Sequence, residues 1–334
     1  MSSLIGRRAL RVAVAVVATV VVGGCGGGQP TVASVAKPRP PARATVLGAP
    51  SLAVTAAGHL PAPVQAPATT ALGGRALLMG GLDQADVSVS DIVLAGADGA
   101  RRLGALPQAL HDAAAATAGT SAYVLGGGEP SHSEITAVDQ TGKATLVGQL
   151  PAPASDVAAA AIGSTVYVVC GYTGTEPLRT IVAWSGAGPG RVVATVPHPL
   201  RYAAVAAVAG RLIIAGGTNG DSATADIYSF DPTTDRVSHI GVLPRPLTHA
   251  AAAALRGFVY VIGGRGGVQG TQTAQILAVD PASGRVTSAG RLPVALSDAG
   301  VASIGDAVVL AGGREATGTL SDRVLLLRPA TRRR

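Results

Sequence analysis

The side chains of this 334-residue chain that can do chemistry recur at fixed spacing. Five residues beyond Pro61, Pro107, Pro151, Pro197, Pro244 and Pro293 stand Ala66, Asp112, Asp156, Tyr202, His249 and Asp298. One residue earlier in each case stand Gln65, His111, Ser155, Arg201, Thr248 and Ser297. If equivalent positions meet in space, carboxylates, an imidazole and a phenol come together. Such a set can hydrogen-bond a polyol, pass a proton or hold a cation weakly. Arg265 and Arg314 each follow a glycine doublet in adjacent repeats and can together grip a carboxylate or sulfate. The candidate ligand-binding residues are therefore Asp112, Asp156, Arg201, Tyr202, His249, Asp298, Arg265 and Arg314. A plainer reading stands beside this one: repeats impose polar periodicity wherever a strand begins beside water, with no ligand involved.

Other chemistries lack their residues. The six histidines show no H-x-H or H-x-x-x-H pair, and no D-x-D-x-D-G calcium loop occurs. The G-x-S-x-G elbow of many hydrolases is absent. The stretch Gly264 to Gly270 has the glycines of a phosphate loop but neither its lysine nor a following helix. No metal or cofactor is expected, and no catalytic residue is assigned.

What must position the polar ring is a repeat. Apolar runs end in Gly80-Gly81, Gly126-Gly127, Cys170-Gly171, Gly216-Gly217, Gly263-Gly264 and Gly312-Gly313, a period of 44 to about 49 residues. Leu60-Pro61, Leu106-Pro107, Leu150-Pro151, Val196-Pro197, Leu243-Pro244 and Leu292-Pro293 keep phase with them. Within residues 245–292, the alanine run, the apolar run to the doublet, Gln275 to Val279 and Arg285 to Gly290 read as four short strands. The turn Asp280-Pro281-Ala282-Ser283-Gly284 has hairpin chemistry. Alanine runs such as Ala113 to Ala116 and Ala250 to Ala254 favour helix by propensity. Each is too short between its breakers to hold one in water, and small side chains suit the innermost strand of sheets converging on an axis.

Four-stranded units repeated around an axis predict an all-β propeller of six blades. The glycine doublets, with Tyr123, Tyr167 and Tyr260 three residues before them, resemble the kelch repeat over about 280 residues. The chain departs from that pattern in lacking the outer-strand tryptophan, with Val237 and Val286 near its place, and in keeping the strand-three tyrosine only as Tyr228. No Trp-Asp pair supports a WD-type propeller. The resemblance implies functional loops at one face: those after the doublets and those leading into the inner strands. It implies a protein- or glycan-binding module first, and second a sugar-converting enzyme such as the bacterial sialic acid mutarotases, with Asp112, Asp156 and His249 as acid and base. A galactose oxidase is not implied, because Cys170 lies in an apolar run, away from any tyrosine-histidine ligand set. Ser51 to Gly58 resembles a fourth strand, and the last repeat has only three. The N-terminal segment is therefore expected to complete the final blade and leave no open edge.

The ends of the chain read differently. Arg7, Arg8 and Arg11 precede the apolar stretch Val12 to Val22 and then Gly23-Gly24-Cys25, the order of a secretory signal. Residues 1–24 are read as a signal peptide resembling the bacterial lipoprotein type, with Cys25 as the acylated residue; Sec and twin-arginine export both stay open. Residues 25–50 form a Gly/Pro/Ala-rich tether, 51–328 the propeller and 329–334 a basic tail. The expected location is the cell membrane, lipid-anchored and extracytoplasmic, or secreted if Cys25 is not acylated. The +7 formal charge belongs to the ends: setting apart the signal arginines, Lys37, Arg39, Arg43, Arg328 and the three terminal arginines leaves an acidic body. That distribution argues against nucleic acid as a partner. With Cys25 acylated, Cys170 has no disulfide partner, and the fold is expected to be a monomer held without disulfides.

Overall fold

The computed structural model of the chain describes residues 48–330, so the signal segment, Cys25 and nearly all of the tether and tail lie outside the described residues. Those described contain strands and turns, with no helix. Six sheets, antiparallel apart from one added strand in blade 2, form the blades of a propeller, and a seventh, two-stranded ladder pairs Leu296–Ser297 with Arg314–Glu315. Blade 1 comprises Ala68–Leu72, Arg75–Met79, Asp91–Gly96 and Gly99–Ala105; blade 2 comprises Ala114–Ala118, Ser121–Leu125, Glu134–Val138 and Ala144–Gln149. Blades 3, 4 and 5 begin with Ala158–Ile162, Ala204–Val208 and Ala251–Leu255. Blade 6 is Gly300–Ile304, Ala307–Ala311 and Arg323–Pro329, completed by the N-terminal strand Leu52–His59. That strand runs antiparallel to the last one, from Leu52 opposite Pro329 to His59 opposite Arg323. The ring is closed by pairing the two ends of the domain.

The alanine runs are strands, as the taper requires. Ala114, Ala158, Ala204, Ala252 and Ala302, among others, line an axial channel of about 520 Å³. The hydrophobic core is split into six clusters, each shared by two neighbouring blades. In one of them Val169 and Ile181 of blade 3 meet Leu212, Ile214 and Phe230 of blade 4. Burial between blades is the main apolar stabilisation of such a fold.

Inter-blade hydrogen bonds explain why doublet and proline keep phase. The second doublet residue donates its N–H to a carbonyl just before the next blade's inner strand: Gly81 to Leu110, Gly127 to Ala154, Gly217 to Leu247, Gly264 to Leu296 and, closing the circle, Gly313 to Val64, each at 2.8 Å. The first doublet glycine has φ between 63° and 70° and lies so close to that carbonyl that a Cβ there would clash with it. Cys170 takes the same left-handed conformation (φ 58°) with a side chain present. Blade 3 accommodates it by a register shift between Val169 and Gly171, a bulge that carries the strand on to Tyr172. The Asp280 hairpin closes on Gly284 (φ 68°), whose N–H donates to Asp280 O at 2.8 Å.

Blade 2 departs from four strands. Gly188–Pro189, from the outer hairpin of blade 3, pairs in parallel with Gly148 and Gln149. Trp184 anchors this strap: its Nε1–H donates to Gly188 O at 2.9 Å and its ring meets Tyr123 edge-on at 4.8 Å. The role of this single tryptophan had no counterpart in the repeat pattern.

Candidate functional site

The six ring positions share a backbone conformation before they share any chemistry. Ala66, Asp112, Asp156, Tyr202, His249 and Asp298 all have φ between 51° and 59°. Their amides point around the axis: Tyr202 N–H donates to Asp156 O (3.0 Å), His249 to Tyr202 (3.2 Å), Asp298 to His249 (3.0 Å), Ala66 to Asp298 (2.8 Å) and Asp112 to Ala66 (3.4 Å). Side chains leaving this circlet turn into the channel. The six residues line a neck of about 120 Å³. Above it lies a mouth of about 290 Å³, lined by Asp112, Tyr202, His249 and Asp298 with Gln65, Asp86, His111, Glu129, Arg265 and Arg314.

Tyr202 bridges the circlet. Its hydroxyl donates to Asp112 Oδ2 at 3.0 Å, two blades away, and its ring stacks on His249 at 3.7 Å with 21° between planes. Arg201 pairs with the buried carboxylate of Asp156 and lays its guanidinium 4.0 Å from the Tyr172 ring centroid. Tyr172, the last residue of the blade 3 strand that runs on past the doublet position, was not singled out by spacing alone. Arg265 Nη2 donates to His249 Nε2 at 2.9 Å. Arg314 reaches Asp86 at 3.3 Å, and Gln65 donates to the same carboxylate oxygen at 3.0 Å. Ser297 donates to Asp298 Oδ2 at 2.6 Å, and Asp298 Oδ1 lies 3.9 Å from His249 Nε2. All eight polar residues expected to meet do so at this end of the channel, Arg201 through its contacts with Asp156 and Tyr172.

The electrostatics of the neck favour neutral forms. Burial, then the neighbouring charges of Asp156 and Asp298, hold the Asp112 carboxyl well above the usual carboxylate range, against the Tyr202 hydrogen bond and Arg201. Burial raises Asp298 to about 6, with Ser297, Arg265 and Arg314 opposing the rise. Burial, then the positive charges of Arg265 and Arg201, press the His249 imidazole well below its ordinary value. Tyr202 is raised by burial and by the carboxylates of Asp112 and Asp156. The neck thus holds a carboxyl at Asp112 whose proton is held more tightly than usual, a neutral imidazole at His249 and a phenol. Together they form a donor and acceptor set suited to hydrogen bonding and proton transfer. Cys170 plays no part: it is buried outside the channel lining, and burial pushes its thiol up to about 12.

The comparisons agree with this architecture. Residues 199–241, which span blade 4 from the approach to its inner strand to its outer strand, match the Kelch motif family model. Among 847 solved chains that match, the structure titled "Structure of YjhT" superposes with a TM-score of 0.68 at 13% identity, covering 81% of this chain and 98% of that one. A similarity at that identity establishes the fold alone. No curated protein matches the sequence. The chain is thus a six-bladed β-propeller in which blade 4 matches the kelch motif.

Proposed function

We propose that this protein is a lipid-anchored, extracytoplasmic, monomeric propeller that presents its channel mouth to a protein or glycan ligand. The observation that carries the reading is the mouth itself: a cavity of about 290 Å³ whose polar side chains come from blades 1, 2, 4, 5 and 6, held at fixed positions by the backbone circlet. A rigid frame with a polar, partly enclosed centre is what a recognition site requires. The order Arg7, Arg8, Arg11, apolar stretch, Gly23-Gly24-Cys25 supports acylation at Cys25, and residues 26–50 supply the spacer to a membrane surface.

Capture of glycans and cell-surface proteins by the full chain tests the reading. It is repeated with Asp112→Asn, Asp156→Asn and His249→Gln combined, changes that spare volume. Binding that persists unchanged in the triple variant rules out the mouth. A Cys25→Ala chain that still partitions with membranes rules out the anchor. One observation favours a second reading, a sugar-converting enzyme such as a mutarotase. The Asp112 carboxyl, its pKa raised by burial, and an imidazole held neutral at His249 share one cavity, joined through Tyr202. Anomer exchange followed by NMR separates the two: acceleration lost in the triple variant identifies the enzyme, and no acceleration across common sugars identifies the binding module.

A further inference from the structure

The polar atoms around the mouth are not all satisfied, and those left over are alike. Among the described residues, the buried side-chain atoms with no hydrogen-bond partner are Ser229 Oγ, Thr248 Oγ1, His249 Nδ1, Arg265 Nε and Arg314 Nε. His249, Arg265 and Arg314 all line the mouth. A guanidinium Nε only donates. The tautomer of His249 follows from its other nitrogen: Nε2 accepts from Arg265, so in the neutral ring the proton sits on Nδ1, which is a donor too. Three donors on side chains that line one cavity, from blades 5 and 6, therefore lack acceptors, and no mouth-lining buried side-chain acceptor is orphaned with them.

Ion pairing points the same way. Arg201 has Asp156, and Arg314 has a single contact to Asp86 at 3.3 Å. Arg265 makes no ion pair with a carboxylate among the described residues, and its side-chain hydrogen bond goes to an uncharged imidazole. The backbones of both arginines are fixed. Arg265 exchanges hydrogen bonds with Thr248 at 2.8 Å, and Arg314 pairs with Ser297 in a two-residue ladder. Buried donors are almost always satisfied in folded proteins, so a fixed set of unsatisfied ones describes the group that completes it. That group is rich in acceptors and negatively charged.

We propose that the mouth binds an oxyanion carried by the ligand, a carboxylate, sulfate or phosphate, between Arg265 and Arg314 with His249 as third donor. The proposal rests on the reading of the mouth as the ligand face and narrows its ligand class. Acetate, sulfate and inorganic phosphate serve as probes, titrated into the full chain at constant ionic strength with chloride. The arginine Nε–H resonances are followed by NMR and assigned by their loss in Arg265→Lys and Arg314→Lys. The expected result is a saturable shift of both resonances with at least one probe, while Arg256, paired with Asp306 away from the mouth, stays still. Acetate against the tetrahedral probes tells a planar site from a tetrahedral one. Each lysine variant keeps the charge but loses the planar fork, so the apparent Kd should weaken at least fivefold. No saturable shift with any probe overturns the proposal, as does a smaller loss in both variants; if a variant fails to fold, the titration of the unsubstituted chain decides alone. Ligand capture lost in the Asp112/Asp156/His249 variant but kept in both lysine variants sinks the oxyanion and leaves the mouth standing, whereas capture kept in all of them removes both.

Discussion

Asp298 offers a sharp test of the electrostatics at the neck. Its carboxyl has an ordinary value of 3.8 and is raised by burial to about 6 in the fold. A carboxyl raised on folding favours the native state while it stays protonated. Below about pH 3.8 native and unfolded chains both hold the proton and there is no penalty. Between about pH 3.8 and 6 the unfolded chain gives up the proton while the fold keeps it, so stability falls, and once pH has risen through the native value the loss is complete. The gap between 3.8 and about 6 corresponds to a penalty of about 1 kcal/mol at pH 4.5 and about 3 kcal/mol at pH 8. Asp298→Asn removes the charge and keeps an oxygen to accept from Ser297. The variant is therefore expected to gain stability over the parent on going from pH 4.5 to pH 8, by about 2 kcal/mol in urea unfolding followed by circular dichroism. Comparing variant with parent at each pH cancels the other titrating groups. A difference independent of pH, or one that moves against the variant as pH rises, refutes the account. It would mean that Arg265 and Arg314 compensate the Asp298 charge fully.

Three further outcomes follow from the frame. Gly216→Ala places a Cβ closer than 3.0 Å to the Leu247 carbonyl at φ 64°, so a loss of about 2–4 kcal/mol in urea unfolding is expected, and under ~0.5 kcal/mol would disprove the need for glycine in the inter-blade contact. Deleting residues 48–59 removes the outer strand of blade 6 and exposes Arg323–Pro329 as an edge; size-exclusion chromatography should show association, and a monomer with the parental melting temperature would contradict closure by the N-terminal strand. Cys170, with its thiol at about 12, should react with a disulfide reagent on the order of a thousandfold more slowly in the native fold than in urea at pH 8, measured in a Cys25→Ala background, and comparable rates would place it in contact with solvent.

Much of the frame was legible in sequence because each marker has a local cause that leaves few alternative residues. The first glycine of each doublet abuts a carbonyl of the next blade, and the Leu or Val before each proline is buried. The alanines face the axis, and Asp139 and Asp280 open hairpins that Gly142 and Gly284 close. Such causes repeat with the blades, and so does their signature. The Trp184 strap, Tyr172 under Arg201 and the contact between Arg265 and His249 each occur once, between residues whose meeting depends on how two particular loops run. Periodicity carries no information about a contact that happens in one blade pair only.

The polar ring lies between these two cases. Its periodicity was visible, yet part of its cause is the backbone: at φ near 55° the residues best tolerated after glycine are Asn, Asp and His. Asp112, Asp156, His249 and Asp298 therefore satisfy the circlet whatever they do for a ligand, so their types alone carry little functional weight. Tyr202 does not fit that explanation. A bulky aromatic is disfavoured in the left-handed region, and here it is kept by stacking on His249 and by its hydrogen bond across the neck to Asp112. Arg265 and Arg314 fall outside the explanation too, since their side chains leave buried donors unpaired at a net cost to the fold. Residues that the backbone does not require, and that stability alone would replace, are those whose presence the chemistry of the mouth has to explain. They are the phenol bridging to the Asp112 carboxyl and the two guanidiniums whose Nε donors are buried and unpaired.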